Sequence, residues 1–403
     1  MTKMTKSALF TLGLLLFAAA ARDLIANDRP LWCRVGQEWF FPAVRSAFAW
    51  GDGRHYVGTA LETTEDQRLW HQLPAADAVF PLVPFAPGEE LGGPRSQPPG
   101  RDSERFGSRF RHVLGTDDHG RDVAASMVSG ARMAVLTGMV AMGLALSVGL
   151  LLGLLAGYFG DDRLRVRRGR LWLSLLSLPV AWFCAFPARA AALNAAADGS
   201  EALKSGAVFL LILLVFNLLG RLLSRWPFFS KKINVPADLL IMRLGEVFSA
   251  TPKLLVIVAL GALTAQESQS TLLLLGLIGA MSWPSVARFV RAELLKVREM
   301  EFMTAARGLG LSDVRIMLRH ALPNALRAVL IAFALGVASA ILLEAALSFL
   351  GYGKNAPREV SWGMLLHSAN GNRQCWWLIL PPSAAICAVV LALNNIGNRG
   401  EEV

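Results

Sequence analysis

Charge is what this sequence has least of. Asp, Glu, Lys and Arg make up 17% of its 403 residues, against 54% hydrophobic residues and a mean hydropathy of +0.44. A soluble domain of this size needs a larger charged surface to stay dissolved, so that class is excluded. Cysteine is scarce too. Cys33, Cys184, Cys375 and Cys387 form no CxxC pair, and no histidine stands at metal-ligand spacing from them. Six histidines are scattered along the chain, and a metal site built on His112 and His119 with Asp117 and Asp118 is the weaker reading of that cluster. No GxxxxGK[ST] phosphate loop is present, so no ATPase activity of its own is expected. HExxH, GxSxG and DFG are missing as well. No metal, cofactor or catalytic residue is expected, and any energy-yielding chemistry has to come from a partner.

The apolar residues that fill this space come in blocks of about 18 to 25, the length that crosses a bilayer core. Candidate spans are Ser7–Ala21, Met133–Ala156, Leu171–Leu193, Gly206–Leu219, Ala237–Leu263, Leu272–Val290, Ala328–Leu350 and Trp377–Leu393. The net charge of +10 is concentrated in short segments between them. DDRLRVRRGR (Asp161 to Arg170), Gly220 to Lys232, and Arg288 to Arg327 all carry clustered Lys and Arg. The positive-inside rule puts these three loops in the cytoplasm, which removes the nucleic-acid reading of the charge. Eight spans with a cytoplasmic N-terminus satisfy all three loops at once. The N-terminal MTKMTKSALFTLGLLLFAAAARD also has the form of a signal peptide. Loop parity favours an uncleaved first span over residues 1–22.

Residues 23–130 then lie outside. The half containing PLVPFAPGEELGGPRSQPPGRDSE is expected to be loop rather than strand. Trp32, Trp39, Phe40, Phe41 and Trp50 either form a small core or rest at the membrane interface. Cys33 and Cys375 share this outer side, where a disulfide between them is the less favoured alternative. The expected class is an all-α polytopic membrane protein, with the transmembrane domain over 131–398.

The most informative segment is 290–325, VRAELLKVREMEFMTAARGLGLSDVRIMLRHALPNA. It is too charged to span. Phe302, Ala305, Ala306 and Leu309 recur at helical spacing, and Gly308 and Gly310 interrupt them. Ser312 is placed to cap a second short helix running to about His320, and Pro323 begins the climb into the next span. Two short amphipathic helices joined at a glycine bend are predicted on the cytoplasmic face.

This layout resembles the "EAA" coupling loop of ABC-importer permeases. Ala305, Ala306, Gly310, Leu322 and Pro323 match the pattern, with His320 before the last pair. Thr304 stands where most of the family has Glu. LGTDDHGRDVAASMVSGAR (Leu114 to Arg132), LLEAALSFLGYG and SWGMLL are similar to the second permease subunit of dipeptide and oligopeptide importers. DLIANDRPLWCRVGQEWFFP resembles the outer domain of the oligopeptide and microcin-C-type subclass, in which a residue other than Glu at position 304 is less surprising.

The resemblance covers residues 1–160 and 237–398. It implies a type I importer permease fold with six core spans, to which this chain adds a two-helix hairpin at 161–236, giving about eight spans and an outer loop domain. It implies import of peptides or peptide-like solutes across the bacterial inner membrane. The implied partners are a homologous second permease, ABC ATPase subunits, a soluble solute-binding protein and membrane lipid. Thr304, Ala305, Ala306, Gly310, His320, Leu322 and Pro323 would form the ATPase-coupling loop. Glu344, read at membrane depth, is a candidate for the translocation path or for an inter-subunit hydrogen bond. The rival reading, kept alive by Thr304 and the insertion, is a non-transporting scaffold or sensor on the same fold.

Sidedness is directly testable in a cysteine-free background. A cysteine placed near Gln97 should react with an impermeant thiol reagent in intact cells, and one near Lys232 should not. The reverse labelling would refute the assigned topology.

Overall fold

The computed structural model describes residues 3–35, 38–44, 78–91, 94–104, 107–161, 165–189, 200–223, 226, 231–264, 271–352, 359–371 and 374–399. Trp50 and the end of the third expected span, around Leu193, lie outside these residues. Two compact units are present. One comprises Met1–Gly153 with Gly245–Val403, and the other Leu154–Leu244.

In the first unit, α1 (Lys3–Ala20) is followed by the outer segment, then by α2 (Val123–Leu154), which ends in a widened π turn at Leu155–Phe159. Val123–Phe159 is one of six described helices long and apolar enough to cross a membrane. The pair α5 (Ala237–Ala250) and α6 (Lys253–Thr264) raises the number to seven if it is one span, and Lys6–Ala20 is a shorter apolar helix. The fifth expected span is therefore not straight. It bends by 76° at the Thr251–Pro252 break. Proline disfavours helical geometry at the residue before it and donates no hydrogen bond, so the break falls where the sequence puts Pro252.

The core of this unit is built on α7 (Thr271–Arg298), α10 (Leu322–Phe349) and α12 (Trp376–Arg399), with the short α11 (Trp362–Ser368) packed between α10 and α12. Ala131 and Ala134 of α2, Ala338, Ile341 and Ala345 of α10, and Ile386 and Val389 of α12 share one buried cluster. Four of its nine buried residues are alanines, which let the helices approach closely, as lipid-embedded helices do when they associate by packing rather than by burying apolar area. Gly149 and Gly153 of α2 illustrate this. A Cβ on Gly153 would lie 2.7 Å from Val290 Cβ and 2.8 Å from the Ala287 carbonyl oxygen of α7.

Between α1 and α2, β1 (Trp32–Val35) pairs antiparallel with β2 (Glu38–Phe40) and β3 (Ala78–Val79). β4 (Arg101–Ser103) and β5 (Gly107–His112) form a second ribbon. The Pro/Gly-rich stretch between Pro81 and Gly100 is mostly loop, as its composition suggests. The small outer core is not made by the tryptophans. Phe85, Phe110, Val83 and Leu91 fill it together with Ala124 and Ala125 of α2, while Trp39 and Phe41 are exposed. Cys33 and Cys375 are both buried free thiols, Cys33 on β1 and Cys375 in a separate cluster with Val123, Leu365 and Leu378. Burial pushes the Cys33 thiol pKa up, which leaves it poorly nucleophilic.

In the second unit, α3 (Arg168–Ala185) and α4 (Ser200–Leu223) pack side by side. β6 (Arg165–Arg167) and β7 (Lys232–Asn234) pair antiparallel, with Arg167 opposite Lys232. The two ends of the insertion are thus tied together by a short ribbon.

Replacing Gly153 by Leu should destabilise the protein by about 1–3 kcal/mol through overpacking against α7. Thermal unfolding in detergent reads this out, with Gly143→Leu as control, because nothing lies within 4 Å of a Cβ there. Equal melting of the two variants would refute close α2–α7 packing.

Candidate functional site

α7 ends in a turn in which the amides of Glu299 and Met300 donate to the carbonyls of Lys296 and Val297. α8 (Glu301–Gly308) follows, with Glu301 in its first turn and Arg307 in its last, each matching the helix dipole. Its end is a Schellman motif. The Gly310 amide donates to the Arg307 carbonyl at 2.9 Å and the Leu311 amide to the Ala306 carbonyl at 3.4 Å. Gly310 has φ +74°, left-handed backbone that an L side chain adopts only at a cost of about 1 kcal/mol or more. No atom lies within 4 Å of a Cβ at this position, so conformation rather than space requires glycine here.

The chain returns as α9 (Asp313–Ile316), but this helix does not stop near His320. It passes through a π turn at Met317–Ala321 and continues without interruption into α10. Pro323 has no N–H and its ring crowds the carbonyl four residues earlier, and the widened turn just before it accommodates both effects. Ser312 occupies the N-cap position of α9, yet its side chain makes no capping bond.

Met303, Ala306, Ile316 and Ala321 point inward and are buried. Thr304 and Ala305 are exposed, and so are Phe302, Leu309, Val314 and Leu318, with Leu309 79% accessible. The expected apolar stripe is therefore split. One half anchors the loop, and the other is a solvent-facing apolar surface around Ala305. Such a contiguous apolar surface on a polar loop marks an interaction site. Arg307 is set differently, its Nε and Nη2 enclosed within the chain and without a hydrogen-bond partner among the described residues. An unmet buried charge-bearing donor costs more than the roughly 1–3 kcal/mol of a neutral one. Met303, Ile316 and Arg307 were not singled out in the sequence. The spacing of Met303 to Ala306 was the only available signal.

Glu344 does not share this site. It lies on α10 about 30 Å beyond Pro323 along the helix, within the apolar stretch Val329–Phe349. The residue is 4% exposed, and its carboxylate accepts from the Ser348 hydroxyl at 2.7 Å and from Ser361. Ser361 is the N-cap of α11 and accepts the Met364 amide. Within this chain Glu344 pins α11 onto α10. The fit is tight, because a Cβ on Gly363 would run into the Ala345 carbonyl oxygen.

The LGTDDHGRD stretch forms a clasp at the outer end of α2. Asp122 Oδ1 accepts the Ala125 amide at 2.8 Å and caps the helix, while Oδ2 lies 2.9 Å from His112 Nδ1. Asp117 accepts the amides of His119 and Arg121 and the Arg121 Nε. The Trp377 indole N–H donates to the Thr116 carbonyl from the start of α12, 261 residues away. Ligand atoms of Asp117, Asp118 and His119 lie within 4.8 Å of one another, but the Asp117 carboxylate is occupied by those three donors and His112 by Asp122. The geometry favours a structural turn.

Residues 226–399 match the family described as the binding-protein-dependent transport system inner membrane component. The match takes in the loop, α10, α11 and α12. Over these residues the chain is thus similar to the inner-membrane permease components of binding-protein-dependent transport systems, and six described helices are long and apolar enough to make it a multi-pass membrane protein. Among curated proteins, the chain is 29% identical to a dipeptide transport system permease protein of Alkalihalophilus pseudofirmus over 293 residues, 72% of this chain and 71% of that protein. It is 38% identical to a putative peptide permease protein of Brucella ovis over 165 residues, 40% of this chain and 53% of that protein. A putative peptide transport system permease protein of Brucella suis is 37% identical over 167 residues, 41% and 55% of the two chains. The aligned part thus spans about half the length of these Brucella relatives.

Gly310→Val should break the Schellman closure while leaving the spans inserted. Hydrogen exchange at the Gly310 and Leu311 amides should accelerate. Unchanged protection would refute the assigned loop closure.

Proposed function

We propose that this chain is one of two membrane-spanning halves of an ATP-driven importer of peptides or peptide-like solutes. The observation that carries the proposal is the loop 290–325, which lies within the family match and presents an exposed apolar face around Ala305 beside a glycine-closed turn. In this reading an ATPase subunit seats on Phe302, Ala305 and Leu309, small enough at Ala305 for close approach. Thr304 offers a hydroxyl where a carboxylate is usual, so its contact is a hydrogen bond rather than an ion pair. Gly310 sets the angle between α8 and α9, and His320, Leu322 and Pro323 carry the displacement into α10.

ATP-driven closure of the partner subunits would then rock the permease halves as rigid bodies, opening a central path alternately to each side. Glu344 serves this motion by holding α11 against α10 at the outer end. Peptide cargo is supported by the names of the relatives, and a soluble binding protein would deliver it from outside.

Two measurements test this. Gentle detergent extraction of the tagged chain should recover a homologous permease and a P-loop ATPase. Recovery of neither from a well-folded preparation would favour the scaffold or sensor reading. Gly310→Trp should leave insertion intact and abolish solute-stimulated ATP hydrolysis and uptake. Transport at the wild-type rate would refute the role given to the loop.

A further inference from the structure

The inserted unit carries a feature unrelated to the coupling loop or the cargo. At the ribbon end of the hairpin, α3 and α4 approach closely, and a Cβ on Gly220 would lie 3.1 Å from Arg170 Cα. Arg170 Nε donates to Asn217 Oδ1 at 2.9 Å, fixing its guanidinium between the helices. A groove of about 900 Å³ opens there. Arg167, Arg170 and Arg221 line its polar end, and Leu175, Leu178 and Leu240 line its apolar wall. A second groove of about 350 Å³, lined by Leu210, Leu214 and Leu218 of α4, shares Arg170, Asn217 and Arg221 with the first. No acidic side chain lines either groove among the described residues.

Three arginines at the head of two apolar grooves specify the occupant. A free anion would use the arginines but leave the leucines without purpose. An apolar helix of another protein would cover the leucines but bring no anion to the arginine end of the groove. A diacyl phospholipid with an anionic headgroup uses both. The positive-inside rule places this end of the hairpin at the cytoplasmic leaflet, where basic pockets between helices meet anionic headgroups.

We propose that the inserted hairpin is a binding site for an anionic phospholipid, its phosphate held among Arg167, Arg170 and Arg221 and its acyl chains lying in the two leucine-lined grooves. Arg167 and Arg221 are exposed, whereas Arg170 is half-buried and bonds Asn217.

The test is native mass spectrometry of the full-length protein in detergent, titrated with phosphatidylglycerol or phosphatidylcholine. Phosphatidylglycerol should be retained and phosphatidylcholine should not. Arg167→Gln and Arg221→Gln should each weaken retention about fivefold, and more in combination. Lys204→Gln, at the other end of α4, should leave it unchanged. Equal binding of phosphatidylcholine, or retention indifferent to the arginine substitutions, would overturn the proposal. Displacement by inorganic phosphate would assign the arginines to a free anion instead. Stoichiometric crosslinking of a membrane polypeptide through a photoreactive residue at Leu175 would assign the groove to a protein, which also overturns it. None of these outcomes depends on transport, so failure here and failure of the importer reading are distinguishable.

Discussion

Hydrocarbon cannot hydrogen-bond a peptide group, and nearly every feature of this chain follows from that constraint. Its long apolar segments satisfy their amides internally as helices. Irregular backbone is confined to places that re-satisfy the lost bonds. The Thr251–Pro252 bend divides one apolar segment into two helices, and the π turn before Leu322 lets a proline enter a long helix without a gap in it. Charge is pushed to the helix ends, where clustered arginines set the orientation. The same constraint explains why an insertion arrives as a pair of helices, since a single added span would place every later loop on the wrong side.

Helix α10 joins the two ends of the permease unit. On the inside it grows directly out of the returning arm of the Schellman turn, and on the outside Glu344 and the close approach at Gly363 hold α11 against it. A continuous helix anchored at both ends is a stiff link between a docking surface and the outer end of the unit. The outer clasp plays a parallel part for α2 and α12, through the cap by Asp122 and the bond from Trp377 to Thr116.

The inserted hairpin obeys different rules. Its helices face outward with leucines along much of their length, and its polar contacts gather at the ribbon end, where Arg170 meets Asn217. A hairpin whose ends are tied by a two-stranded ribbon enters and leaves at neighbouring points, which is how a permease chain tolerates it.

Much of this was legible in the residues themselves. The apolar blocks and basic loops, set by chain-length and solvation physics, determined the membrane class and the sidedness assigned to each loop. The Ala-Ala-Gly spacing pointed to the loop, and Gly310 proved to hold the left-handed turn expected of it. Other features came only from tertiary structure, because they join residues far apart in sequence or depend on which face of a helix meets a neighbour. Helical periodicity alone could not say that Met303 and Ala306 turn inward while Phe302 and Leu309 stay exposed. Nor could it pair Glu344 with Ser348 and Ser361, or put Phe85 and Phe110 rather than the tryptophans in the small core between α1 and α2. Helix geometry and solvation act locally and are written into composition and period. Packing partners are chosen globally, by the few atoms that fit when distant segments meet.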